Sequence, residues 1–174
     1  LLLAPFEYYK TDHYSFSLHK LVDEINKEEI ETLLIFGGIP VFDAPDDYRW
    51  NEIQSGIKEV IHFSESFNET SDLAEYHIAK SHYLESWSDG RTNDGRLLPV
   101  QPLIEPLFET FDEIFLINLL VNNDLKDSYS LIQETYQSFG GLDFNKYLAE
   151  GLSELGNYDK IISELDMKLL ISFL

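Results

Sequence analysis

The sequence predicts an α/β domain of three layers, with a mainly parallel sheet flanked by helices. Three observations carry that prediction. Ile30 to Phe36 holds the unbroken run Thr32-Leu-Leu-Ile-Phe36 and stops at Gly37-Gly38. A second run, Val60-Ile61-His62-Phe63, has the same character. Around these runs the apolar residues recur at helical spacing instead of alternating. Apolar strands without alternation are those covered on both faces, the usual condition of a parallel sheet with helices on each side.

In chain order, Leu18, Leu21, Val22 and Ile25 fall on one stripe, predicting a helix over Leu18 to Asn26. The first strand follows at Ile30 to Phe36. Ala44-Pro45-Asp46-Asp47 predicts a turn and a helix start, since acidic residues suit the amino end of the helix dipole. Trp50, Ile53 and Ile57 mark that helix's buried face. Glu59 to Phe63 is the second strand, with His62 expected half-buried. Thr70 or Ser71 is expected to cap a short turn bearing Leu73 and Ala74. Tyr76 to Ala79 is the third strand. Asp112 to Val121 is apolar nearly all round, which predicts a deeply buried helix. Ser128 to Phe139 presents Tyr129, Ile132, Tyr136 and Phe139 on one face and ends at Gly140-Gly141. Phe144, Tyr147 and Leu148 predict a short helix before Gly151. Residues 1–174 are read as a single domain excised from a longer subunit. Within it, 1–17 is an N-terminal arm, and 152–174 is a helical extension with Ile161, Ile162, Leu165, Leu169 and Leu170 on its apolar face.

Bulk properties narrow the function. A chain of 174 residues that is 44% hydrophobic can bury a substantial core. No run approaches the length of a membrane-spanning helix, so no direct membrane insertion is expected. There is no cysteine, which excludes disulfides, thiolate zinc sites and cysteine-ligated iron–sulfur clusters within this chain. A net charge of −20 opposes binding to nucleic acid, which depends on cationic side chains neutralising phosphate. No Gly-x-Ser-x-Gly elbow, His-Glu-x-x-His pair or phosphate loop occurs. His77, His82, Glu85 and Asp89 match no zinc-ligand spacing. No catalytic residue and no metal ligand is assigned.

Two stretches remain. Gly37-Gly38-Ile39-Pro40 closes the first strand, and paired glycines at a strand's carboxyl end permit a sharp turn or close approach by a ligand. In open α/β sheets that edge is where ligands bind. The second stretch, Ser81 to Pro106, combines Asp89-Gly90, Asp94-Gly95, Pro99, Pro102 and Pro106 with a substantial apolar content that includes Trp87. Asp-Gly pairs favour turns with positive φ. A long ordered loop around one short strand, Leu97 to Gln101, is predicted, with Trp87 anchoring it on the core.

His82-Tyr-Leu-Glu-Ser-Trp-Ser-Asp89, Asp94-Gly95 and Val100-Gln-Pro-Leu-Ile-Glu-Pro-Leu107 together resemble the molybdopterin-dependent oxidoreductases. The best match is the molybdopterin-oxidoreductase-like iron–sulfur subunit of bacterial alternative complex III, a quinol-oxidising respiratory complex. The resemblance runs from Leu18 to Gly151 and is specific across Gly37–Pro45 and His82–Leu107. It implies a Rossmann-like domain whose partners are the other domains and subunits of a respiratory complex. It also implies a location on the periplasmic face of a bacterial inner membrane. The cofactor it implies is molybdopterin guanine dinucleotide, with the metal ligand and any cluster cysteines outside this chain. Gly37, Gly38, Pro40, Glu69, Thr70, His82, Arg91 and Arg96 are the cofactor-binding positions implied by the resemblance. The family's Gly-Gly-Asn-Pro reads Gly-Gly-Ile-Pro here, so Ile39 replaces a polar side chain. The alternative-complex branch is thought to have lost the cofactor. Two readings are therefore open: a domain contributing to a pterin-nucleotide pocket in a redox enzyme, or a scaffold in which the same loop is packing or a subunit contact.

Overall fold

A computed structural model describes residues 18–92 and 95–156. The arm 1–17 and the extension from residue 157 onward lie outside the described residues. Within the span read as one domain, the chain gathers into two compact units. The described parts of the first are 18–88 and 101–131; those of the second are 89–92, 95–100 and 132–156.

The first unit is built on three parallel strands, β1 (Thr32–Phe36), β2 (Glu59–Ser64) and β3 (Tyr76–Ala79), in spatial order β1-β2-β3. The register pairs Leu33 with Val60, Ile35 with His62 and His62 with His77. Side chains of directly paired residues point the same way, so these residues share one face. That face packs on α1 (Leu18–Asn26) and α3 (Trp50–Gly56) through a core of Val22, Leu33, Trp50 and Val60. Between β1 and α3 run a short turn of helix, α2 (Pro40–Asp43), and a 3-10 turn over Asp46–Tyr48. Arg49 then takes a left-handed conformation that breaks the 3-10 turn from α3.

The opposite face carries Leu34, Phe36, Ile61, Phe63 and Ile78, beside α5 (Glu113–Asn122) with its Leu116 and Leu120. The α/β class and the helix-flanked parallel sheet are as the apolar runs predict. Two burial expectations are corrected. β1 is not covered on both faces: its burial alternates, with Leu34 41% and Phe36 38% exposed. An edge strand of a three-stranded sheet has a neighbour on one side only, and α5 leaves part of this one open. α5 itself is not deeply buried. Leu116 and Asn118 are inside, while Ile117, Leu120 and Val121 are exposed, Val121 at 75%. The helix stops at Asn123, whose left-handed backbone (φ 52°) is one that asparagine tolerates.

Two smaller differences have local causes. The turn α4 (Glu69–Asp72) is capped by Asn68, not by Thr70 or Ser71. Asn68 Oδ1 accepts from the amides of Thr70 and Ser71, and Ser71 Oγ accepts from the Asn68 amide in return. This reciprocal arrangement satisfies the amide donors at the amino end of the turn. Asp89-Gly90 forms no turn either; it lies inside β4 (Ser88–Arg91), which pairs with β5 (Leu97–Val100).

In the second unit, α6 (Ser128–Ser138), which begins in the first, contributes Ile132 and Tyr136 to a buried cluster. α7 (Phe144–Glu150) adds Phe144 and Tyr147. The Tyr136 and Tyr147 rings lie parallel, 4.3 Å apart. Gly140 (φ 87°) and Gly151 (φ 72°) end the two helices, as their positions predict. Burial, reinforced by the nearby Asp89 carboxylate and by Tyr136, pushes the Tyr147 phenol up to about 12. Burial likewise raises the Asp89 carboxyl above its ordinary range.

Candidate functional site at the carboxyl edge of the sheet

β1 ends where the Gly37 amide donates to the Phe63 carbonyl at 2.8 Å, the last rung of the parallel ladder. The backbone then takes two consecutive left-handed steps, Gly37 (φ 65°) and Gly38 (φ 70°), a path that glycine follows without steric cost. Gly38 is exposed, and Ile39 and Pro40 are half-buried as the chain enters α2.

The Gly-Gly turn is held from inside by His62, which is fully buried and not half-buried as expected for a lone strand histidine. Its Nε2 lies 3.2 Å from the Gly38 carbonyl and its Nδ1 2.8 Å from Ser71 Oγ. A carbonyl oxygen only accepts, so Nε2 carries the proton. Burial holds the ring below the ordinary imidazole pKa, and the neighbouring His77 adds to that, while the Gly38 carbonyl opposes it. The ring is therefore neutral at pH 7, with Nδ1 accepting from the Ser71 hydroxyl. His62 thus links the turn after β1 to the capped turn after β2.

Thr70 sits beside this link, wholly buried. Its hydroxyl accepts from the Val41 amide at 3.3 Å, and its carbonyl accepts from Gln54 Nε2 at 2.8 Å. Gln54 Oε1 in turn accepts from Trp50 Nε1 at 2.9 Å. Gly37, Gly38, Pro40 and Thr70 therefore belong to one hydrogen-bonded corner, with Glu69 exposed on its rim. Lys80, which follows β3, is engaged by Glu113 at 2.7 Å.

The other positions implied by the resemblance have separate roles. His82 lies in the central loop, where its Nδ1 accepts from the Leu84 amide and its own amide donates to Glu85. The two arms of that loop are joined by the Leu103 and Ile104 amides donating to the Leu84 carbonyl and by Ser81 bonding to Phe111 and Thr110. Trp87, expected as a core anchor, is half-buried and packs edge-on against Tyr129. Arg91 and Arg96 belong to the second unit. The Arg91 guanidinium donates to the Gly95 and Gly156 carbonyls and lies over the Phe139 ring. Arg96 sits 3.9 Å from Glu154. Among the described residues, no group of three or more His, Asp or Glu side chains comes together as a metal site. No helix among them is long and apolar enough to cross a membrane.

Sequence reasoning missed His62, Ser71 and Gln54 as the frame of this corner. The signal that could have found part of it is Asn68 three residues before Ser71, a helix-start pairing read in the wrong direction.

His62 gives the corner a pH signature. Because its pKa is lower in the folded chain than in the unfolded one, its contribution to stability is whole above about pH 6.5 and is lost as pH falls. The stability gap between the wild type and His62→Gln is expected to shrink on acidification from pH 7.5 to pH 5.5. Thermal unfolding midpoints across that range test this, and a constant gap would sink it.

No family model matches the chain, and no curated protein matches it. Among solved structures, acetylene hydratase from Pelobacter acetylenicus is similar, with a TM-score of 0.66 and 17% sequence identity over 86% of this chain. The aligned part is 22% of that protein, so the chain spans about a fifth of the solved structure it matches. At this identity the likeness concerns the fold alone.

Proposed function

We propose that this chain is a Rossmann-like domain of a molybdopterin-oxidoreductase-type subunit in a quinol-oxidising respiratory electron-transfer complex, and that it is not catalytic by itself. The observation that carries the reading is a three-stranded parallel sheet opened at its carboxyl edge by Gly37-Gly38, within a fold matched over 86% of the chain. The periplasmic face of a bacterial inner membrane is the proposed location, and the remaining domains and subunits of that complex are the proposed partners.

Molybdopterin guanine dinucleotide, the group this fold family implies, does not fit the residues present at the edge. Its phosphates would need donors or cations. Thr70 is buried with its hydroxyl oxygen turned to Val41, and the Ile39 side chain offers no polar atom. Glu65 and Glu69 are exposed there, and Lys80 is paired with Glu113. This favours the second reading, a scaffold that has lost the cofactor. The open apolar surface of Leu34, Phe36, Ile117, Leu120 and Val121 supports a role in contacts with other polypeptides, because patches of this kind usually mark interaction sites.

Tagged protein carrying this chain, purified in mild detergent from the membranes of its source, tests the proposal. Quinol-oxidising activity is expected to co-purify with it. Recovery free of membrane proteins and of that activity would overturn the respiratory assignment.

A further inference from the structure

The first unit has an open cleft of about 400 Å³ between the arms of the central loop and the amino ends of α5 and α6. Trp87, Phe111 and Phe115 supply its aromatic surface, and Phe111 and Phe115 are stacked at 5.8 Å. Glu85, Glu105, Asp112 and Asp127 supply its charge, and no lysine or arginine lines it.

The four carboxylates are not equivalent. Glu85 accepts from the His82 and Leu107 amides, and Asp127 accepts from the Ser130 amide and hydroxyl. Asp112 stands at the amino end of α5 but makes no capping hydrogen bond. Glu105 is exposed beside it in the lining. A further group awaits a partner: Ser128 is 3% exposed, lines the same cleft, and its hydroxyl has no hydrogen bond.

Two helix amino ends at the cleft raise the opposite possibility, an anion site. Each contributes about half a positive charge, so together they offset about one of the four carboxylates. The field in the cleft remains negative and selects a cation. Aromatic walls favour an organic cation over a hydrated metal ion, because the ring faces attract guanidinium and ammonium groups, tryptophan most strongly. Leu103, Leu107 and Phe108, within two residues of lining residues Pro102, Ile104 and Pro106, are each more than 70% exposed. Apolar side chains flanking an acidic, aromatic cleft match a polypeptide better than a small amine.

We propose that this cleft receives an arginine side chain from an apolar-flanked segment of a partner polypeptide. The guanidinium sits among Trp87, Glu105 and Asp112, on the wall that also carries Ser128. The partner's neighbouring apolar residues cover Leu103, Leu107 and Phe108. This surface is independent of the carboxyl edge of the sheet and does not rest on the respiratory assignment.

Titration calorimetry of the whole chain with acetyl-Leu-Arg-Leu-amide, its citrulline counterpart and N-acetylarginine amide tests it. The arginine peptide is expected to bind one-to-one, and the isosteric but uncharged citrulline peptide roughly tenfold more weakly. Glu105→Gln and Asp112→Asn are each expected to weaken binding several-fold with unchanged melting temperature, whereas Glu29→Gln, outside the cleft, leaves it unaltered. Equal affinity for citrulline, or an equal loss in Glu29→Gln, would overturn the site in favour of diffuse attraction to a polyanion. N-acetylarginine amide binding as tightly as the peptide would overturn the polypeptide as occupant.

Discussion

Trp50→Ala is expected to lower stability by about 3–5 kcal/mol, the usual cost of emptying a buried aromatic site. Trp50 is 4% exposed and packs with Val22, Leu33 and Val60 where α1 and α3 meet the sheet. Its indole N–H also anchors a chain of bonds, Trp50 to Gln54 to the Thr70 carbonyl. Gln54 is 1% exposed, so removal of the indole leaves its side-chain oxygen without a partner, at about 1–3 kcal/mol for an unsatisfied buried group. The two losses fall on one site and are not additive. Trp50→Phe separates them by keeping most of the ring and losing only the donor. Chemical denaturation should rank the wild type first, Trp50→Phe second and Trp50→Ala last. Equal midpoints for the wild type and Trp50→Ala would show that the ring is not part of the core.

Gly141→Ala carries the second large effect, through overpacking. A Cβ at Gly141 would stand inside the contact radius of the Tyr136 ring. That ring cannot swing away freely, because it is stacked on Tyr147 and flanked by Phe144 at 5.9 Å. Overpacking a filled core typically costs about 1–3 kcal/mol, and a blocked stacked ring places this substitution at the upper end. Gly140→Ala probes something different at the next position. Gly140 has open space around it but a left-handed φ of 87°, so only backbone strain opposes the methyl group. Thermal unfolding should show Gly141→Ala as the more destabilised of the two, and a reversed order would contradict the packing described for Tyr136.

The contrast between these sites shows what the sequence made legible. The parallel strands, α1, α3, α6 and α7 could be read from periodic or continuous apolar runs, and β1, α6 and α7 also carry a stop signal. Gly37-Gly38, Gly140-Gly141 and Gly151 are such signals, and all but Gly141 take positive φ. Burial was less legible, because it depends on what covers a surface and not on the surface itself. The α5 run from Ile114 to Val121 looks like a core helix, yet Ile117, Leu120 and Val121 are exposed. Leu34 and Phe36 look like a strand covered on both faces and lie instead on an edge.

The candidate site was legible as a place but not as chemistry. The glycine pair marks the carboxyl edge of β1, and that edge is where the corner forms. The partners that occupy it, His62, Ser71 and Gln54, come from β2, α4 and α3, and no local pattern assigns a lone histidine to a carbonyl 24 residues away. The loop from His82 to Leu107 illustrates the same limit. Its turn residues predict irregular backbone, but the cross-links between Leu84 and Leu103 and between Ser81 and Phe111 depend on long-range geometry.

The central claim is that this chain keeps a Rossmann-like frame while His62 and Thr70 at its carboxyl edge are committed internally and Glu65 and Glu69 face outward, so that the edge does not hold a nucleotide. Titration calorimetry of the chain with GDP at low salt, where a weak electrostatic contact is least screened, addresses it directly. The account predicts no saturable heat. Saturable one-to-one binding, weakened by Ile39→Glu at that edge, would contradict it and restore the carboxyl edge as a cofactor pocket.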